Sequence, residues 1–218
     1  MSEKRKRVVI VDDHPLFRER LAQLINQEPD MEVCGEAEDA PQGMQLIRDT
    51  QPDLVIAEIT LKKSSGLELI KSIKALSIGM PILVLSMHDE ALYAERALRV
   101  GAAGYITKHQ GADQILLAVR RVLAGEVYLS EKMTASVLRS LTSGGVKSIP
   151  RPIDRLSDRE LEVLELIGSG RTAREIAETL KLGVATIDTY RARIKAKMNF
   201  QNVNELQYFA VRWIGARE

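Results

Sequence analysis

Residues 52–70, PDLVIAEITLKKSSGLELI, combine a strand-like apolar run, an acidic residue and a helix-like stretch. The apolar run LVIA ends at an acidic residue, Glu58, and a short polar segment then leads to Gly66 and a helix-like stretch. A short, continuously apolar run is typical of a strand buried on both faces, and a helix after it returns the chain across the sheet. The segment therefore predicts one strand–helix unit of a parallel sheet, with an acid at the carboxyl end of the strand.

The same unit recurs throughout residues 7–124. Strands are predicted at 7–12, 31–37, 53–58, 81–86 and 104–108. Helices are predicted at 15–27, 40–50, 66–77, 90–100 and 111–124. Right-handed crossovers between successive strands give an α/β fold, a doubly wound five-stranded parallel sheet covered on both faces.

The C-terminal third follows a different pattern. A helix-like stretch at 130–141 precedes a segment rich in glycine and proline, 142–155, which is typical of a linker. Residues 156–214 show only helical periodicity and are predicted to form a small all-α domain. The expected domains are residues 1–128, a helix and linker at 129–155, and residues 156–218.

Composition places the chain among soluble globular proteins. Hydrophobic residues make up 45% and charged residues 28% of 218 residues, and the net charge of +1 means that any basic site must be local. The single cysteine, Cys34, fits a reducing compartment. No run approaches the roughly 18 apolar residues of a membrane span, so we expect a cytoplasmic protein with no membrane partner.

Polar residues follow four of the five predicted strands. These residues are Asp12, Asp13, Glu58, Ser86 and Lys108. Ligands of open α/β sheets bind at the carboxyl ends of the strands, and clustered acids repel one another unless a cation lies among them. An all-oxygen set of this kind suits Mg²⁺, and an ammonium beside it suits a phosphoryl oxygen. The alternative is that each polar residue simply ends its strand near water.

The motifs VDDHP, PDLVIAEI, LVLSMHDE and GAAGYITK, in this order, resemble those of a bacterial response-regulator receiver domain, which has a flavodoxin-like fold. The resemblance covers residues 7–124. It implies that Asp13 binds Mg²⁺ directly, that Asp12 assists, and that the backbone carbonyl of Thr60 is a further ligand. It also implies that Ser86 and Lys108 bind the phosphoryl group and that Tyr105 turns inward on activation, although Tyr105 taken alone reads as an ordinary strand residue.

Two positions depart from the receiver pattern. Glu58, which the resemblance places among the metal-binding residues together with Asp12, Asp13 and Thr60, stands where the family has the phosphoacceptor aspartate, and Lys62 stands in place of a loop proline. The extra C–C bond moves the carboxylate by roughly 1.5 Å, and misplacement by about 1 Å already slows such reactions about 100-fold. We therefore expect little phosphorylation at Glu58, and partial imitation of a phosphorylated aspartate through Ser86 and Lys108. Glutamate is either native or a deliberate replacement of aspartate, and the otherwise complete pocket favours replacement.

The C-terminal segment contains a helix–turn–helix pattern. Helices predicted at 157–167 and 172–181 begin with capping boxes, and a short turn at Leu182–Gly183 leads to a third helix at 184–198. Ile187, Ile194 and Met198 share one face of the third helix, and the rest of that helix is locally basic. The residues expected to face DNA are Thr186, Asp188, Thr189, Arg191, Ala192, Arg193, Lys195 and Lys197. The alternative is a solvated face of an ordinary helical bundle.

The motifs LSDRELEVL, EIA and TIDTYRARIKAKM resemble the LuxR-type helix–turn–helix, over about residues 156–214. Asp188 and Tyr190 stand where lysine and histidine are commonest, so the family does not predict the base sequence; an acid at 188 would accept a hydrogen bond from cytosine. The two halves together resemble NarL/FixJ-type response regulators of two-component systems. That resemblance implies a transcription factor rather than an enzyme, with double-stranded DNA and a sensor histidine kinase as partners and a homodimer on DNA.

Two rival functions share part of this pattern. An aspartate-nucleophile phosphatase also has an acid pair after its first strand, but the absence of a cap domain and the presence of the helix–turn–helix argue against it. A pseudo-receiver transcription factor, controlled by a protein partner or a small molecule instead of phosphate, would share the DNA-binding half.

Overall fold

A computed structural model describes residues 4–61, 64–76, 79–142 and 152–215. The chain forms two compact units, Met1–Gly144 and Gly145–Glu218. Helix 131–142, which follows the last strand–helix repeat, belongs to the first unit.

The first unit is built on a parallel sheet of five strands, with a separate antiparallel pair beside it. The strands are β1 (Lys6–Val11), β2 (Met31–Ala37), β3 (Leu54–Ala57), β4 (Thr60–Leu61), β5 (Ser64–Ser65), β6 (Ile82–Ser86) and β7 (Gly104–Thr107). The order across the sheet is β2-β1-β3-β6-β7, and β4 pairs with β5. After β1 the chain adds β2 on one side of β1, and it then crosses to add β3 on the opposite side of β1. The strand order therefore reverses between β1 and β3, and ligands of such sheets bind at this point.

Helices cover both faces of the sheet. They are α1 (Pro15–Asn26), α2 (Ala40–Thr50), α3 (Gly66–Ala75), α4 (Glu90–Arg99), α5 (Ala112–Leu123) and α6 (Glu131–Thr142). Alternate residues of a strand point to opposite faces. Val8 and Ile10 of β1 accordingly belong to a buried cluster with residues of α1 and α5, whereas Val11 lies against Gly43 of α2. The predicted doubly wound fold is confirmed.

The second unit consists of helices alone within its described part, 152–215. A short 3-10 helix, Pro152–Arg155, precedes α7 (Asp158–Gly168), α8 (Ala173–Leu180), α9 (Val184–Met198) and α10 (Val203–Gly215). α7 packs against α9 and α10, and α8 packs against α9. Both predicted capping boxes are present, one joining Ser157 and Glu160 and the other joining Thr172 and Glu175.

Each turn between these helices contains a residue with a left-handed conformation, and only one of the three is glycine. Gly170 has φ of +78° after α7, and Asn199 has φ of +60° after α9. Lys181 has φ of +55° after α8, whereas Gly183 caps the start of α9 with an extended conformation. The turn of the helix–turn–helix therefore relies on a lysine for its left-handed residue.

Predicted elements and observed elements agree closely, with two exceptions. The pair β4–β5 was not predicted, because strands of two residues are too short to show a periodicity. The predicted linker, 142–155, ends in the 3-10 helix, where Ile153 is buried; its residues 143–151, like Lys62, lie outside the described residues. In the part of the chain that the structure describes, no helix combines the length and apolar character needed to span a membrane.

Candidate functional site

Four of the predicted polar residues meet at the carboxyl edge of the sheet. Asp12 follows β1, Glu58 follows β3, Ser86 ends β6 and Lys108 follows β7. Ser86 is fully buried, and the side chains of Glu58 and Lys108 are each 2% exposed. The alternative in which each residue merely ends its strand near water is excluded, since all four side chains are buried.

Glu58 is held through both of its carboxylate oxygens. Oε1 accepts a hydrogen bond from the Ser86 hydroxyl and another from the backbone N–H of Ile59 at 2.6 Å. Oε2 lies 2.9 Å from Nζ of Lys108. The two side chains that the receiver resemblance assigns to a phosphoryl group are thus both in contact with Glu58.

Lys108 balances two buried acids. Its Nζ lies 2.5 Å from Oδ2 of Asp12 as well as 2.9 Å from Glu58, and it stands over the ring of Phe17, 4.4 Å from the ring centroid. A buried ammonium between two carboxylates is tolerated because each charge has a partner at hydrogen-bond distance. Phe17 was not predicted as part of the site, since a single aromatic on a helix is most often a core residue.

The remaining acid, Asp13, lies beside Asp12 and is 8% exposed. Nδ1 of His14 is 2.9 Å from Oδ1 of Asp13 and 3.3 Å from Oδ1 of Asp12. One potential ligand atom from each of these three residues lies within 4.8 Å of the others. Paired carboxylate oxygens at a sheet edge fit Mg²⁺, which takes oxygen ligands and keeps several waters.

Gly66 is required by the backbone that carries Glu58. A Cβ at this position would lie 1.8 Å from the carbonyl oxygen of Glu58, and the N–H of Gly66 donates to the carbonyl of Ile59 at 2.7 Å. No side chain fits so close to backbone atoms, and any larger residue would move the strand end that places Glu58.

A second group of contacts leads from Ser86 to Tyr105 through His88. Tyr105 is fully buried, and its hydroxyl donates to the backbone carbonyl of His88 at 2.9 Å. The backbone N–H of His88 donates to the Ser86 hydroxyl at 3.2 Å. The ring nitrogen Nε2 of His88 lies 2.9 Å from the hydroxyl of Thr60. The ring of Tyr105 therefore occupies the inward position, and His88 joins three predicted site residues. His88 was missed, although its place two residues after Ser86 at the same strand end was a signal.

The predicted nucleic-acid interface lies on α9. Ile187 and Ile194 are fully buried, as predicted from their spacing. On the rest of the helix, Arg191 and Lys195 are half-buried and six predicted residues are exposed: Thr186, Asp188, Thr189, Ala192, Arg193 and Lys197. Arg191 lies near Asp188, with Nη1 3.8 Å from Oδ1, so part of its charge is balanced within the helix.

Lys197 differs from the other basic residues of α9. Its Nζ lies 2.6 Å from Oε2 of Glu160, a residue of α7 whose side chain is 3% exposed. Burial raises the pKa of Glu160, but hydrogen bonds from Lys197 and Ser157 outweigh it and leave that pKa below its ordinary value. Lys197 therefore joins α9 to α7 and has less charge to offer a phosphate than Arg193.

Comparison with known families agrees with this geometry. Residues 8–120 match the response regulator receiver domain, and residues 154–210 match the bacterial regulatory proteins of the luxR family. The chain belongs to the two-component response regulators with a LuxR-type DNA-binding domain. This response regulator is 35% identical over 210 residues to the oxygen regulatory protein NreC of Staphylococcus carnosus, a match that covers 94% of this chain and 97% of NreC. It is 34% identical over 206 residues to the virulence-factor regulator BvgA of Bordetella pertussis, with the same coverage.

Solved structures share the fold. A LuxR-family two-component response regulator from Aurantimonas is 32% identical, with a TM-score of 0.59, and the match covers 64% of this response regulator and 99% of that chain. RcsB from Salmonella enterica serovar Typhimurium, bound to promoter DNA in the presence of the phosphomimetic BeF3⁻, is 24% identical with a TM-score of 0.60, and the match covers 95% and 99% of the two chains. The latter likeness concerns the fold alone.

Proposed function

We propose that this response regulator controls transcription and that Glu58 serves as a permanent, partial substitute for a phosphoryl group at its receiver. One observation carries the proposal: both oxygens of the Glu58 carboxylate are engaged by the groups that would otherwise bind phosphate, Ser86 and Lys108. Tyr105, in the inward position, is linked to Ser86 through His88. The occupied pocket, the inward Tyr105 and the contacts between them support an activated state of the receiver.

Glu58 itself is a poor phosphoacceptor for two reasons. Its carboxylate projects roughly 1.5 Å farther than that of aspartate, so an in-line donor would have to lie farther out than Lys108 and Ser86 allow. In addition, an attacking oxygen would first have to give up its contact with Lys108 or its two hydrogen bonds from Ser86 and Ile59. An aspartate at position 58 would leave both groups for the phosphoryl oxygens, and a sensor histidine kinase would supply that phosphoryl group.

The substitution is partial because of charge. A phosphoryl group carries about −1.5 to −2 near neutral pH, whereas Glu58 carries one negative charge. Asp12 and Asp13, with the carbonyl of Thr60, would hold Mg²⁺ at this site. When bound, Mg²⁺ supplies positive charge that neutralises phosphoryl oxygens. Ser86 and Lys108 would hold and orient the phosphoryl group, and the buried edge of the sheet would keep water away from it.

The output is DNA binding by α9. The exposed residues near its N-terminus, Thr186, Asp188 and Thr189, would face base edges, and Arg191, Arg193 and Lys195 would contact phosphates. A single helix–turn–helix buries little surface, so we expect a homodimer on paired half-sites.

The alternative is a pseudo-receiver that a protein partner or a small molecule controls. The same saturated pocket would suit a receiver that no longer uses phosphate, so only the behaviour of position 58 separates the two functions.

The test compares the parent chain with Glu58→Asp, Glu58→Gln and Glu58→Ala. Each is incubated with a small phosphodonor and Mg²⁺ and weighed intact, and its affinity is measured for DNA that the parent selects from random sequence. We expect the parent to bind more tightly than Glu58→Gln, which keeps the shape and loses the charge. Glu58→Asp should gain one phosphoryl group and should then bind at least as tightly as the parent.

Each contrary result removes one part of the proposal. Equal affinity of the parent, Glu58→Gln and Glu58→Ala would show that Glu58 imitates nothing. Failure of Glu58→Asp to gain a phosphoryl group would establish the pseudo-receiver instead.

A further inference from the structure

The first turns of α9 lack most of the side chains that read purines. In a helix–turn–helix, residues near the N-terminus of the second helix reach the base edges. Bidentate contacts to guanine come from arginine or lysine, and those to adenine come from asparagine or glutamine. Residues 184–192 contain no lysine, asparagine or glutamine. Their one arginine, Arg191, has a side chain that is 25% exposed and an Nη1 that lies 3.8 Å from Oδ1 of Asp188, so its guanidinium is directed along the helix.

The face of these turns that points away from the core carries methyl groups. Ala185, Thr189 and Ala192 are exposed and follow one another at intervals of four and three residues. This spacing places them on one side of the helix, opposite the fully buried Ile187 and Ile194. The methyl groups of alanine and threonine suit apolar contact with the C5-methyl group that marks thymine in the major groove.

The hydroxyl of Thr189 is engaged by its own helix. Oγ1 donates to the backbone carbonyl of Ala185 at 2.9 Å, a bond that a threonine in a helix makes in one of its two common rotamers. Thr189 therefore has a methyl group and an acceptor oxygen to offer a base, and no donor for the N7 and O6 atoms of guanine. A surface groove of about 270 Å³ lies beside it, lined by Ala185, Thr186, Thr189, Tyr190 and Arg193.

We propose that α9 reads thymine: Thr189 and Ala192 contact the C5-methyl groups of neighbouring thymines in the major groove, beside the cytosine expected for Asp188. Arg193 and Lys195 hold the helix on phosphates, which positions it without reading sequence. The half-site is therefore rich in thymine and does not depend on a bidentate contact to guanine. The inference rests on the proposed function, which supplies DNA as the ligand, and adds the base that is read.

The test replaces thymine by deoxyuridine, one position at a time, in DNA that the full chain selects from random sequence. Uracil keeps every hydrogen-bonding group of thymine and lacks only the C5-methyl group. Burial of one such group stabilises a complex by about 0.8 kcal/mol, which is about fourfold in affinity. We expect a loss of about fourfold at two neighbouring thymines of each half-site, measured by fluorescence anisotropy at constant salt concentration.

Two variants assign the effect to the helix. Thr189→Ser removes one methyl group and keeps the hydroxyl that donates to Ala185. It should bind the selected DNA about fourfold more weakly and should lose the effect of uracil at one position. Thr179→Ser is the matched control, because Thr179 is an exposed threonine of α8 whose hydroxyl donates to the carbonyl of Glu175 at 2.8 Å in the same way. It should keep both the affinity and the full uracil pattern of the parent.

The outcomes separate this inference from the proposed function. Selected half-sites without thymine would overturn the inference, as would equal affinity for the thymine and uracil forms, or a Thr189→Ser variant that keeps the full uracil pattern. In each of these cases selective DNA binding persists, so the proposed function stands. A parent chain that prefers no selected sequence over random DNA would remove both, because α9 would then read no base.

Discussion

Replacement of Lys108 by methionine should strongly destabilise the receiver. Methionine keeps much of the length of the side chain and its packing against Phe17 but removes the ammonium that lies 2.5 Å from Asp12 and 2.9 Å from Glu58. Those two carboxylates are 3% and 2% exposed, so water cannot replace the lost partner. Removal of one member of a buried ion pair typically costs about 3–5 kcal/mol. Native proteins typically have a free energy of unfolding of about 5–15 kcal/mol, so we expect the variant still to fold.

Urea unfolding of the full chain measures this loss, with a built-in control. The single tryptophan, Trp213, lies in α10, so its fluorescence reports the second unit, whereas circular dichroism reports both units. For a urea dependence near 1.5 kcal/mol per molar, a loss of 3–5 kcal/mol lowers the midpoint of the receiver by about 2–3 M. The tryptophan transition should stay in place.

Two further variants show whether charge is the cause. Lys71→Met removes an exposed lysine of α3 and should leave both transitions unchanged. Glu58→Gln added to Lys108→Met should restore part of the loss, because one of the two unpaired carboxylates then becomes neutral; interactions of contacting residues are typically about 0.5–3 kcal/mol. A midpoint for Lys108→Met within error of the parent would refute the reasoning, since the buried acids would then not depend on the ammonium.

Three other predictions concern the second unit. Arg193→Ala should reduce the slope of log DNA affinity against log salt concentration by about 0.9. Lys197→Ala should mainly lower the free energy of unfolding, because Nζ of Lys197 lies 2.6 Å from the carboxylate of Glu160. Equal changes of the salt slope in the two variants would contradict this distinction. Asp188→Asn should change a cytosine preference to adenine at one position of DNA selected from random sequence, by about 1–3 kcal/mol, and identical selected sequences would rule out base contact by Asp188. The pKa of Glu160 in the folded chain lies below the ordinary glutamate value of 4.5. The ionised carboxylate therefore stabilises the fold fully when the pH is above 4.5, and this contribution is lost as the pH falls through the folded pKa. Glu160→Gln should therefore unfold more readily near neutral pH and show a shallower loss of stability in acid; the same acid profile as the parent would assign the loss to other groups.

The fold was predictable because its signals are local. A strand buried on both faces must be apolar at every position, as in residues 54–57, and this shows directly in the sequence. The capping boxes at Ser157 and Thr172 join residues that are only three positions apart, so the sequence spacing alone predicts the contact. The convergence of Asp12, Glu58, Ser86 and Lys108 followed from one general property of parallel sheets, namely that their carboxyl ends share an edge.

What sequence reasoning missed depends on contacts between distant segments. Lys197 was counted among the DNA-facing cations from the local charge of its helix, but its closest acidic partner is Glu160 on another helix. The contact of His88 with Thr60 forms because β4 brings the hydroxyl of Thr60 to the imidazole ring of His88. Neither partner is visible in a pattern of spacing, since periodicity identifies the face of an element and not the residue that lies opposite.

The single negative charge of Glu58 leads us to expect that its state needs less metal than an aspartyl phosphate. A phosphoryl group brings more than one negative charge to an edge that already holds Asp12 and Asp13, and a single ammonium cannot balance that total. Glu58 brings only one, and Nζ of Lys108 lies within hydrogen-bond distance of both Glu58 and Asp12. Under the proposed function, we therefore expect an aspartate at position 58 to need both a phosphoryl group and a divalent ion to engage the pocket, whereas Glu58 engages Lys108 of the chain itself.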